Sequence, residues 1–126
     1  MIDQIRLWHA EACQLVFPAA VKAAPFDLQD KQPAIDFCQS PGFWGYYTPH
    51  THICHYDLGM ARMRGNGYRD TVIHEVCHAY REMISRPFNR DGHDDVWAAI
   101  MEAIGQDPKS RCALPSLAGM YAQLQW

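Results

Sequence analysis

His74, Glu75 and His78 lie in the stretch TVIHEVCHAY over residues 71–80 and spell an H-E-x-x-H pattern. On a helix of about 3.6 residues per turn, side chains at i and i+4 sit one above the other, so both imidazoles can reach one metal ion at about 2.0–2.1 Å. Glu75 is too close in sequence to be a third ligand in that arrangement. It stands beside the metal, where a carboxylate can take a proton from a water that the metal has acidified. This is the chemistry of a zinc hydrolase, with His74 and His78 as Zn2+ ligands and Glu75 as the catalytic acid-base. The plainer alternative is two exposed histidines on a polar helix face.

A catalytic zinc usually takes three protein ligands. The downstream candidates are Asp91, His93, Asp94, Asp95 and Glu102. Residues 93–104 carry a helical pattern whose inward stripe is Val96, Trp97, Ile100 and Ile104. At about 100° per residue His93 falls near the centre of that stripe, and Asp95 and Glu102 fall on the far side. His93 is therefore the expected third ligand. A rival site is offered by His50, His52 and His55. If they lie on a strand, His50 and His52 share one face and His55 points to the other. The ordinary reading of that segment is a turn followed by an edge strand with exposed polar side chains.

The elements that must hold these residues are legible in outline. Residues 3–17 read as a helix through Ile5, Trp8, Ala12, Leu15 and Val16, stopped by Pro18, with His9 as a scaffold histidine lacking any partner at ligand spacing. Residues 35–38 alternate like a short strand. Phe43, Trp44, Tyr46 and Tyr47 lead to a turn at Thr48-Pro49, and residues 51–58 form a further strand; a small antiparallel sheet is expected. After the loop Gly65-Asn66-Gly67, Asp70 is placed to cap a helix from Thr71 to about Ser85, ended by Arg86-Pro87. Its apolar face, from Val72 to Ile84, is expected on the sheet, with the histidines looking the other way onto an open cleft. Gly105 closes the second helix, and a short apolar helix over residues 116–126 folds back on the core. The class is α+β.

The chain has 126 residues, enough for one domain over 1–126 with a real core, at 48% hydrophobic and 20% charged residues. No apolar run approaches the roughly 18 residues needed to span a bilayer, and the charged, interrupted start lacks the form of a secretion signal, so the expected location is cytoplasmic. Five cysteines without a C-x-x-C pair argue against both a zinc ribbon and a disulfide framework. A net charge of −3 does not mark a nucleic-acid binder. Arginines do gather at Arg62, Arg64 and Arg69, and at Arg81, Arg86 and Arg90, on either side of the motif.

The residues TVIHEVCHA over 71–79, Gly92-His93 followed by Trp97 and Gly105, and more loosely Gly45-Tyr46-Tyr47 with the Ile53 strand resemble the SprT-like zinc metallopeptidase domain, to which the protease Spartan also belongs. The resemblance covers residues 42–105. It implies a zincin-like fold of the compact minigluzincin kind, with an N-terminal helix, a small sheet and two motif helices. It implies a zinc-dependent endopeptidase acting on protein or peptide substrates, with His74, His78 and His93 as ligands and Glu75 as acid-base. It also implies DNA as a partner and a nucleoid-associated location, although the zinc ribbon and basic segment that accompany DNA binding in many members are not found in these residues. The alternative is a catalytically silent, zinc-stabilised protein- or DNA-binding module. Tyr56, Tyr68 and His55 are the candidates for stabilising an oxyanion.

Overall fold

A computed structural model of the chain describes residues 1–24, 28–39, 43–84 and 93–108. Among these residues four α-helices and three strands follow in the order α1 (Ile2–Ala23), β1 (Ala34–Cys38), β2 (Gly45–Thr48), β3 (Ile53–Asp57), α2 (Leu58–Arg64), α3 (Tyr68–Glu82) and α4 (Asp95–Ala103), with a short 3-10 helix (Gly65–Gly67) between α2 and α3. The α+β class is as expected, and the residues expected to form a helix over 116–126 lie outside the described ones.

The sheet is mixed, which corrects the antiparallel expectation. Its order is β1-β3-β2: β2 and β3 form an antiparallel hairpin, and β1 joins the far side of β3 in parallel, Ala34 opposite Ile53 through Cys38 opposite Asp57. Alternation of apolar and polar residues assigns a strand its faces and says nothing of its direction. β3 is thus the central strand and not an edge. Its inner residues Cys54 and Tyr56 are fully buried against the helices. Gly45 lies close against β3, and a Cβ there would stand 2.9 Å from the carbonyl oxygen of His55.

α3 is the axis of the domain. α1, α4 and the inner face of β2 and β3 all pack on it, and every residue from Thr71 to Arg81 is buried. An all-round buried helix must find cover on each side. α1 supplies Ile5, Trp8, Ala12, Val16 and Ala20, the sheet Tyr47, Cys54 and Tyr56, and α4 Val96, Trp97 and Ile100. Burying each large aliphatic side chain here is worth about 1.5–3 kcal/mol. This cover explains why α1 runs through Pro18 to Ala23 and does not stop at Phe17. Proline forfeits one helical hydrogen bond, but Val16, Ala19 and Ala20 are buried on either side of it, and that packing holds the helix together.

α3 begins at Tyr68, three residues before the expected start, with Gly67 and not Asp70 as N-cap. Asp70 lies inside the first turn, where its charge still favours the helix N-terminus. The early start follows from Tyr68, whose buried hydroxyl donates to the Trp44 carbonyl and accepts from the Asp57 backbone N–H. That ties the first turn of α3 to the sheet. α2 has no counterpart among the elements expected from sequence. It is opened by Asp57, whose side chain accepts from the Met60 N–H at 2.8 Å. No helix among the described residues is long and apolar enough to cross a membrane.

Candidate metal centre

His74 and His78 project from adjacent turns of α3, and His93 lies two residues before α4. Their Nε2 atoms form a triangle with sides of 3.2 Å (His74–His78), 3.0 Å (His78–His93) and 3.4 Å (His74–His93). Hydrogen bonds alone do not satisfy such a triangle. Each contact needs one donor and one acceptor, each ring nitrogen carries either a proton or a lone pair, and among three nitrogens two always share the same state. At least one side therefore sets like against like. A cation at the centre accepts three lone pairs at once. A tetrahedral ion with bonds of about 2.0–2.1 Å requires ligand–ligand edges of about 3.3–3.4 Å, close to the separations found. The three histidines could hold a metal ion, as the sequence spacing implied.

The surroundings are largely closed. His78 is 0% and His74 7% exposed, and His93 is half-buried. This corrects the expected open cleft: the histidine side of α3 is covered by α4, because Trp97 packs on all three imidazoles. Its indole stacks on His78 with centroids 5.2 Å apart and meets His74 and His93 edge-on at 5.1 and 4.7 Å.

Glu75 is also wholly buried, and among the described residues neither carboxylate oxygen has a hydrogen-bond partner. Burial pushes its carboxyl well above the usual range. A negative charge on Glu75 would add to the burial that raises Cys54, Tyr56 and Cys77. A buried carboxylate without donors is costly, and a neighbouring divalent cation favours the charged form. The thiol of Cys77, inside the motif, is buried and raised by desolvation, so it is a packing residue and not a nucleophile.

The other third-ligand candidates are accounted for. Asp95 and Glu102 are exposed, Asp94 is engaged elsewhere, and Asp91 lies outside the described residues. The rival cluster does not assemble. His50 and His52 belong to the turn between β2 and β3 and not to a strand, His52 with φ of 56°. The ring of His52 bonds the Tyr47 hydroxyl at 2.7 Å and the Lys31 carbonyl at 2.7 Å. His55 bonds Asp36 at 2.8 Å and Thr48 at 2.9 Å, and stacks on Tyr46. The three oxyanion candidates are likewise committed to the fold: Tyr56 to His9, Tyr68 to Trp44 and Asp57, and His55 as described.

One pair beside the metal site is not foreseen by sequence pattern. Arg81, three residues after His78, is 0% exposed and holds Asp94 in a two-pronged ion pair: Nε donates to Oδ1 and Oδ2 at 3.1 and 3.0 Å, and an amino nitrogen to Oδ2 at 2.7 Å. The same carboxylate caps α4 by accepting from the Trp97 N–H at 2.9 Å. Burial works against the Asp94 charge, and these hydrogen bonds outweigh it, leaving the carboxyl below its ordinary range.

Of the comparisons with known proteins, the model of the SprT-like family matches residues 45–115, a span that contains β2, β3, α3, α4, Glu75 and all three histidines. No curated protein and no solved structure matches the chain.

Proposed function

Because the chain belongs to the SprT-like family, we propose that it is a zinc-dependent metalloendopeptidase hydrolysing peptide bonds in proteins, DNA-associated ones included. The observation that carries this reading is the triangle of three Nε2 atoms, whose sides lie close to the edges of a tetrahedral zinc site. His74, His78 and His93 would hold the ion, in a compact zincin-like arrangement of two helices. When bound, zinc supplies Lewis acidity that lowers the pKa of water and polarises a carbonyl. Glu75 accepts the proton of the attacking water and returns it to the leaving nitrogen. No donor among the described residues occupies the lone pairs of the buried Glu75 carboxylate that would take that proton. Trp97 keeps solvent from the imidazoles and fixes their planes.

A second reading, a zinc clamp without catalysis, draws on one observation: Glu75 and His78 are both 0% exposed. Glu75→Gln separates the two readings, because Gln has nearly the same size and leaves the imidazoles in place. On the protease reading the variant binds zinc as wild type does and hydrolyses an unfolded protein about 10²–10⁴-fold more slowly. The assay is run with and without single-stranded DNA. Zinc-loaded wild type that cleaves nothing under either condition makes the clamp the better account.

A further inference from the structure

Two of the three candidate ligands share one helix, and the third reaches them from a different element. His74 and His78 are set by the pitch of α3. Nothing local to α3 sets His93, which precedes α4 and follows residues 85–92. Beside the Trp97 packing, the two elements are joined next to the site by the Arg81–Asp94 pair: Arg81 lies one turn beyond His78, and Asp94 is the residue directly after His93. The contact is two-pronged, so it restrains orientation as well as distance. Through the Trp97 N–H, the same carboxylate also sets the first turn of α4, and with it the indole that packs on all three imidazoles.

Resting on the metal-centre reading, we propose that Arg81 is a positioning residue that acts through Asp94 to place His93 against His74 and His78, so that zinc affinity depends on this buried pair. A salt bridge that served stability alone is poorly suited to this place, because burying both charges costs about as much as their attraction returns. Restraint of a ligand is a different use. Removing groups that orient metal ligands typically costs about 10–100-fold in affinity.

The test is a double-mutant cycle on zinc affinity, measured by competition with a chromophoric chelator, using wild type, Arg81→Met, His93→Ala and the double variant. Arg81→Met is expected to weaken zinc binding about 10–100-fold in the presence of His93. In the His93→Ala background, where there is no third imidazole to position, the same change should cost less than about 3-fold. A purely structural role for Arg81 would lower affinity equally in both backgrounds, and that result overturns the proposal. Should Arg81→Met fail to fold around the stranded Asp94 charge, Arg81→Met/Asp94→Asn replaces it, removing both charges while keeping an acceptor for the Trp97 N–H. Wild type that binds zinc tightly together with an Arg81 variant that binds equally well removes the positioning role alone. Wild type that binds no zinc removes the metal centre and this inference with it.

Discussion

The turn and strand that carry His52 and His55, and the junction of α3 and α4 that gathers His74, His78 and His93, are built from the same side chain and differ in where its nitrogens point. At His52 and His55 each ring nitrogen faces a protein oxygen: a tyrosine hydroxyl and a carbonyl for one, an aspartate and a threonine for the other. At the α3–α4 junction the Nε2 atoms face one another. Three histidines close together in sequence are therefore a weaker sign of metal than three whose lone pairs converge. The cross-strand register explains the first group. Asp36 and Tyr46 stand directly opposite His55 on its two neighbouring strands, so a hydrogen bond and a stacked ring reach it from either side.

The sharpest way to break this contrast is to delete one histidine from each group and measure zinc. His93→Ala should lower zinc affinity by more than about 100-fold, since losing a ligand exceeds the loss of a group that merely orients one. His52→Ala should leave it within about 2-fold, because both of its ring nitrogens are already occupied by the fold. Equal losses would mean that the hairpin histidines reach the metal after all.

Stability should reverse the ranking of the two groups. Measured by urea unfolding in excess chelator, His55→Ala is expected to cost about 1–2 kcal/mol, because it removes two side-chain hydrogen bonds and the stacking on Tyr46 at a mostly covered site. His93→Ala under the same conditions should cost less, because without metal it relieves the like-against-like approach among the three nitrogens. A larger loss for His93→Ala would show that the triangle stabilises the fold by itself.

The smallest expected effect concerns His9, a buried histidine of the first kind, which bonds the Tyr56 hydroxyl at 2.7 Å and the Pro33 carbonyl at 2.9 Å. Burial lowers its pKa from 6.5, with the Pro33 carbonyl opposing. A histidine whose folded pKa lies below its unfolded one takes up protons more readily when unfolded, so its contribution is present above about pH 6.5 and is lost as pH falls. In excess chelator, wild type should therefore lose stability more steeply below about pH 6.5 than His9→Gln does. Parallel pH profiles would show that His9 does not titrate on unfolding.

The spacing of His74, Glu75 and His78 determined the candidate ligand pair by itself, since an i, i+4 relation on a helix is a local property of 3.6 residues per turn. The stripe of Val96, Trp97 and Ile100 likewise placed His93 on the inward side, and breaker and aromatic patterns located the strands and α4 to within a few residues, whereas the stop expected at Pro18 misplaced the end of α1 by six. Sequence pattern also put Asp94 at the start of α4. It could not say that Arg81 would be the side chain to meet Asp94, because an ion pair between two helices depends on their relative placement and leaves no periodic trace in either. The parallel pairing of β1 was hidden for the same reason: strand direction is decided by the route of the chain, and alternation reads the same both ways. The closed surroundings of His74 and His78 were decided by α4, whose Trp97 covers a face of α3 that helical periodicity alone had assigned to solvent.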